Sequence, residues 1–113
     1  ASYLGTPYVY GGASPSGFDC SGFVYYVYGT FGISAGRTPA SQYSAGTPVD
    51  KASLQAGDIV LFAGTAGSGI THAGIYAGNG QFIHSPNSRS TVSYSDLTSG
   101  YWSEHFYCGI RVV

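Results

Sequence analysis

The segment from His72 to His84 constrains the fold of this chain more than any other. His72-Ala73-Gly74-Ile75-Tyr76-Ala77 leads into Gly78-Asn79-Gly80 and then Gln81-Phe82-Ile83-His84. Two short apolar runs joined by Gly-Asn-Gly predict a β-hairpin, because glycine and asparagine tolerate the positive φ of a tight hairpin turn. With a three-residue loop at 78–80, Ala77 faces Gln81 and Gly74 faces His84, and His72 lies two residues further along its strand. The separation of His72 and His84 is even, so both imidazoles point to one face of the sheet. They then stand on a diagonal that long side chains can span.

Other strand signals follow the same half of the chain. Ala56-Gly57-Asp58 reads as a turn, and Ile59 to Ala63 as a short buried strand. Val92 to Tyr94 predicts an edge strand, and Tyr107 to Val112 a final one. Gly64 to Gly69 reads as a flexible loop. It is no phosphate loop, since it lacks the Gly-Lys-Ser/Thr ending and precedes a strand. The first half differs. Residues 1–18 are rich in Gly, Pro, Tyr and Ser and read as an irregular or extended entry segment. Asp19 is placed to cap a helix from Cys20 to about Tyr28, closed by Gly29 and Gly32. Phe23, Val24, Val27 and Tyr28 fall on its core face. Thr38-Pro39 pairs an N-cap with proline at the first helical position, predicting a short helix through about Ala45. Helices first and strands later predict an α+β fold with an antiparallel sheet.

The 113 residues fit one domain, numbered 1–113, and 43% hydrophobic content excludes disorder. Only 8% of residues are charged, against roughly 25% in ordinary soluble domains. Four Lys and Arg and a net charge of −1 exclude an electrostatic nucleic-acid binder, which needs a basic face for phosphates. No run approaches eighteen apolar residues, so no transmembrane helix is predicted. The chain shows no signal peptide and no initiator Met, and Ala1 reads as the start of a mature or trimmed product, a catalytic unit excised from a longer protein. The Tyr-, Gly- and Ser-rich, Lys-poor composition is compatible with a secreted protein, and the expected state is a monomer.

Cys20 carries the chemistry. A cysteine attacks as the thiolate, and a helix N-terminus favours the anion through its dipole and unpaired N–H groups. The alternative is a buried apolar filler. His72 and His84 weigh toward a nucleophile, since one imidazole can take the thiol proton while the other fixes its tautomer. Two strand histidines without a role are the alternative for that pair. Cys20, His72 and His84 make a poor zinc site, lacking a fourth close ligand and paired spacing, so no metal is expected. Cys20 and Cys108 could pair in an oxidising compartment, but the surroundings of Cys20 read as those of a free thiol. Cys108 reads as a buried thiol, His105 as structural and Asp58 as a turn stabiliser. Arg37, Arg89 and Arg111 are surface residues by default, with contact to an acidic peptide as the alternative.

Five linked motifs then carry a resemblance. They are Thr6-Pro7-Tyr8-Val9-Tyr10-Gly11-Gly12, Asp19-Cys20-Ser21-Gly22-Phe23, Gly57-Asp58-Ile59-Val60-Leu61-Phe62, His72-Ala73-Gly74-Ile75-Tyr76 and Ile83-His84-Ser85. In order and spacing, over nearly the whole chain, they resemble the NlpC family of bacterial cell-wall cysteine peptidases. The resemblance implies a papain-like fold, with the Cys-bearing helix packed on a C-terminal antiparallel sheet. It implies hydrolysis of an amide in peptidoglycan stem peptides, commonly after γ-D-glutamyl and before a diamino acid, outside the cell and without a cofactor. By that resemblance Cys20 is the nucleophile, His72 the general base and acid, and His84 the orienting third member. Tyr8 matches a tyrosine near the cysteine that polarises the carbonyl oxygen or binds substrate; a packed aromatic of the entry loop is its alternative. Asp19 and Ser21 match positions lining the substrate groove, where Asp19 either binds a free amine or caps the helix. The N–H of Cys20, at the helix start, is the expected oxyanion donor. An N-acetylmuramoyl-L-alanine amidase, an acyltransferase and a non-catalytic wall-binding module remain open.

Overall fold

The computed structural model describes residues 6, 8–9, 12–14, 17–30, 32–33, 36–63, 69–85, 92–98 and 100–112. Pro7, Tyr10, Gly11 and Arg89, and most of the loop expected from Gly64 to Gly69, lie outside the described residues.

Within the entry segment, expected to be irregular or extended, a small hairpin forms from β1 (Ala13–Ser14) and β2 (Gly17–Phe18). Asp19 then starts α1 (Cys20–Gly29), and its carboxylate accepts the N–H of Gly22 at 2.6 Å, as a helix cap does. Phe23, Val24 and Tyr28 are buried, while Val27 packs partly buried at the margin of the same cluster. Thr38 and Pro39 start α2 (Pro39–Tyr43) with a reciprocal capping box between Thr38 and Ser41. It ends two residues before Ala45, the end expected from the sequence.

Six strands form one antiparallel sheet in the order β3-β8-β4-β5-β6-β7. They are β3 (Thr47–Val49), β4 (Ile59–Ala63), β5 (Ile70–Gly78), β6 (Gln81–His84), β7 (Ser93–Asp96) and β8 (Phe106–Arg111). β3 holds Pro48, which lacks an N–H to donate, and a proline is tolerated there because the strand lies at the sheet edge. The hairpin departs from its expected register in one respect. Gly78 pairs with Gln81 and Tyr76 with Phe82, so the turn is Asn79-Gly80 and Ala77 is an extra residue at a bulge. Asn79 takes a φ of 56° and Gly80 one of 77°. Beyond the bulge Ile75 faces Ile83, which keeps the register expected between Gly74 and His84.

Strand alternation divides the core between the two faces of the sheet. Ile59, Leu61, Ala73, Ile75 and Ile83 pack with Phe23 and Val24 of α1. Val60, Phe62, Phe82 and Leu97 form the second cluster, with Trp102 and Phe106 against them. Trp102 lies on α3 (Gly100–His105), a helix that sequence periodicity does not announce.

Arg111 and Asp58 are structural. The Arg111 guanidinium lies 2.9 Å from the Asp58 carboxylate, which also accepts the N–H of Gln55 at 2.9 Å. The turn role expected for Asp58 is therefore observed, and Arg111, at the surface as expected, is ion-paired to it. His105 bonds the carbonyl of Ala63 through Nδ1 at 3.0 Å, in line with its structural assignment. Cys20 and Cys108 are both free, and Cys108 is half-buried where full burial was expected.

Candidate active site

β5 runs on past the end of β6, so beyond Gly74 one of its edges has no strand partner among the described residues. The start of α1 fills that edge, and the N–H of Ala73 hydrogen-bonds the Cys20 thiol. Two further contacts hold the approach. Ser85, next to His84, donates its buried hydroxyl to the carbonyl of Phe18 at 2.7 Å. Gln42 of α2, fully buried, donates to the carbonyls of Ser21 and Gly36, each at 3.0 Å. Ser85 thus ties the end of β6 to the residues before Cys20, and Gln42 ties α2 to the residue after it.

His72 precedes Ala73, and alternation sends its ring to the opposite face from α1. There Nε2 of His72 meets Nδ1 of His84 at 2.7 Å. The sequence expectation that the two rings share a face and touch is borne out. His84 continues the chain of contacts, with Nε2 at 2.8 Å from Oγ of Ser95. The Trp102 indole stacks on the His72 ring, with centroids 4.6 Å apart and planes 27° from parallel, and meets His84 edge-on at 5.0 Å. The imidazole pair is therefore walled by aromatic surface, with His72 4% exposed and His84 0%.

Burial sets the charge states. It lowers the pKa of His72 to about 3, because the imidazolium loses its hydration there. His84 is lowered to about 3 by the same cause, with the neighbouring His72 charge adding to it. Cys20 departs from the sequence expectation of a depressed pKa. Its backbone surroundings act as foreseen, since the N–H groups of Ala73, Ser21 and Cys20 itself all favour the thiolate. Burial of the sulfur outweighs them, the Asp19 charge adds to the opposing side, and the thiol is pushed above its ordinary value. At neutral pH the site holds a neutral thiol and neutral imidazoles.

Asp19 is ion-paired with Arg37, and Ser21 accepts a hydrogen bond from the same guanidinium. Arg37 reaches Asp19 Oδ1 at 3.1 Å and Ser21 Oγ at 3.2 Å, and its other nitrogen reaches Asp19 Oδ2 at 3.3 Å and the Gly12 carbonyl at 3.4 Å. Of the two roles weighed for Asp19, the helix cap is the one observed. Arg37 lies at the surface as expected by default, and from there it braces the start of α1. Tyr8 is half-buried and forms a parallel bridge with Phe18, two residues before Cys20, so the entry segment passes close to the cysteine. Among the described residues no cluster of His, Cys, Asp and Glu could hold a metal ion.

Gly74 lets the two histidines meet. A Cβ there would stand 2.9 Å from the Phe82 ring and 3.0 Å from both the His84 Cβ and the Ile83 carbonyl. Its missing side chain lets β6 bring His84 against His72. Gly74→Ala is expected to displace His84 and lower hydrolysis about 10- to 100-fold, on the scale of an ångström-sized misplacement. Overpacking should also cost about 1–3 kcal/mol in a denaturant melt. Unchanged rates would show that His84 can shift without consequence.

Ser95 and Trp102 were not singled out from the sequence. Ser95 lies in a polar, half-exposed edge strand whose register with β6 is not written in its residues. Trp102 belongs to a six-residue helix, too short for a periodic pattern. The one available signal was that it is the only tryptophan in the chain.

A thiol at a helix start, held by the strand residue that follows a paired histidine on an antiparallel sheet, defines a protein of the papain-like class. The model of the NlpC/P60 family matches residues 5–111, and the chain belongs to that family. It is 46% identical over 105 residues to the bifunctional muramidase/DL-endopeptidase CwlT of Bacillus subtilis, an alignment covering 91% of this chain and 31% of that protein. It is 42% identical over 111 residues to the gamma-D-glutamyl-L-lysine dipeptidyl-peptidase of Bacillus cereus, covering 96% of this chain and 33% of that one. Among solved structures, the NlpC/p60 domain of the peptidoglycan hydrolase SagA superposes with a TM-score of 0.82 at 40% identity, covering 97% of this chain and 90% of that one. The chain spans about a third of the length of those two curated relatives.

Proposed function

We propose that this chain is the catalytic domain of a cysteine endopeptidase acting outside the cell on peptidoglycan stem peptides. The bond is the amide between γ-D-glutamyl and the following diamino acid. The observation that carries this reading is the buried imidazole pair, His72 Nε2 on His84 Nδ1 at 2.7 Å, on the strand whose next residue, Ala73, gives its N–H to the Cys20 thiol. The names of the relatives, a DL-endopeptidase and a gamma-D-glutamyl-L-lysine dipeptidyl-peptidase, support the choice of bond.

Since thiol and imidazole are both neutral at rest, the proton moves as the sulfur attacks. The Cys20 sulfur forms a bond to the amide carbon while its proton passes to Nδ1 of His72, the nitrogen not engaged by His84. The N–H of Cys20 donates to the developing oxyanion. Collapse of the tetrahedral intermediate breaks the C–N bond, and His72 delivers the proton to the departing amine. Water then attacks the thioester, its proton passing to His72 and on to the sulfur as the acid leaves. Tyr8 lines the entry side, where it can contact the carbonyl or the stem. Asp19 and Ser21 shape the groove from beneath, through Arg37 and the cap. No step calls for a cofactor.

Mass spectrometry of products from a defined muropeptide tests this reading. The expected products are a fragment ending in D-glutamate and one beginning with a free diamino acid. Release of the whole stem from the sugar would instead define an amidase, and transfer of the acyl group to an added amine an acyltransferase. No cleavage of any muropeptide would leave a wall-binding module.

A further inference from the structure

We infer that Ser95 is a positioning residue of this site, setting through its hydroxyl the tautomer of His84 and thereby the nitrogen on which His72 can accept a proton. The inference rests on the proposed role of His72 as base, and it follows from counting protons along a buried chain of contacts. A neutral imidazole carries one N–H, so each ring donates from one nitrogen and accepts at the other. Two arrangements fit the observed distances. In one, Nε2–H of His72 donates to Nδ1 of His84, and Nε2–H of His84 donates to Oγ of Ser95. Nδ1 of His72 is then bare. In the other, the Ser95 hydroxyl donates to Nε2 of His84, and Nδ1–H of His84 donates to Nε2 of His72. The proton of His72 then sits on Nδ1, and that nitrogen cannot take another.

Only the first arrangement lets His72 receive the thiol proton, and it requires an acceptor at Nε2 of His84. Ser95 is that acceptor at 2.8 Å. Strand pairing explains how it arrives there. Phe82 faces Ser95 across β6 and β7, which sets Ser95 on the diagonal from His84 and on the same face of the sheet. Ser95 is partly exposed, so its own O–H can turn toward solvent while its lone pair faces the ring. Without the hydroxyl, the first arrangement leaves a buried N–H unpaired, whereas the second leaves only a lone pair. Orphaned buried N–H groups are the rarer and costlier of the two. Removal of Ser95 therefore favours the tautomer in which His72 is not a base.

The test compares Ser95→Ala and Ser95→Thr by steady-state hydrolysis of a defined muropeptide. It adds nitrogen-15 NMR of the histidine rings in the substrate-free protein. Loss of a buried donor's partner costs about 1–3 kcal/mol, so kcat of Ser95→Ala should fall about 5- to 150-fold. KM should stay within about twofold, since Ser95 acts through the rings and not on the substrate. Ser95→Thr, which keeps the hydroxyl, should recover most of the rate. In the spectra the His84 proton should move from Nε2 in the parent to Nδ1 in Ser95→Ala. Should that variant fail to fold, Ser95→Cys, of similar shape but with a weak acceptor, carries the same expectations. An unchanged kcat in Ser95→Ala, an equal loss in Ser95→Thr, or a His84 proton on Nδ1 in the parent protein would each overturn the inference. The ring spectra need no substrate, so they decide the role of Ser95 even if the proposed hydrolysis itself is not found.

Discussion

Cys20→Ala is expected to lower the rate of stem-peptide cleavage by about 10⁴- to 10⁶-fold, the scale on which loss of a nucleophile acts in triad hydrolases. The fold should survive, because Cys20 is a partly buried residue at the start of α1 whose thiol is held by backbone N–H groups that remain in place. The cap of α1, from Asp19 to Gly22, and the Arg37 brace do not involve the side chain. Thermal unfolding of the variant should therefore track the parent within a few degrees while turnover disappears. Cys20→Ser should be nearly as inactive, since an alcohol is far harder to deprotonate than a thiol beside a base that burial has weakened. Retention of the normal rate in Cys20→Ala would remove the thioester route altogether.

The second large effect is on stability in acid, and its sign follows from the histidines. Folding lowers the pKa of His72 and of His84 from 6.5 to about 3. Between those values the unfolded chain binds protons that the native state refuses, so stability rises with pH across the window. The contribution is complete above about pH 6.5 and is lost as pH falls toward 3. Each ring should contribute a slope of up to about 1.4 kcal/mol per pH unit, so the pair approaches twice that. Urea melts at about pH 6.5 and 5.5, above the ordinary range of carboxylates, isolate the histidine effect. His84→Gln keeps an amide in the chain of contacts and does not titrate, so it should roughly halve the slope. Trp102 offers an internal check. It is the only tryptophan and stacks on His72, and a protonated imidazole quenches a stacked indole. Its emission should stay flat between about pH 8 and pH 5. Quenching centred near pH 6.5, or stability unchanged across the acid window, would show that His72 remains hydrated and titrates normally.

Sequence carried the backbone of the site because its signals are local. Asp19 caps a helix through its own carboxylate, Thr38 and Pro39 mark a helix start, and Asn79-Gly80 closes a hairpin. Even spacing alone put His72 and His84 on one face. The turn was misplaced by one residue, because Gly78, Asn79 and Gly80 all accept positive φ and only the packing of the strands selects among them. β3 was missed for a related reason. Its Pro48 argues against a strand until the sheet order shows that the strand lies at an edge. The charge state of Cys20 was misjudged because position in a helix is legible and burial is not. Three N–H groups favour the thiolate as expected, but desolvation from elements far along the chain prevails. Arg37 with Asp19, Ser95 with His84 and Trp102 on His72 share that character. Each joins residues from distant segments, and no local pattern encodes such a meeting.

The role of Cys20 is tested most directly by blocking it and counting. In a Cys108→Ser background Cys20 is the only thiol, since the chain has two cysteines. Iodoacetamide should react slowly near pH 6 and faster as pH rises past the ordinary thiol range, because burial holds the proton on the sulfur. Intact mass gives the fraction alkylated, and hydrolysis of a defined muropeptide gives the activity left. The expected result is a straight line, with activity falling in proportion to alkylation and reaching zero at one adduct per chain. Fully alkylated protein that still cleaves the stem peptide would contradict the account.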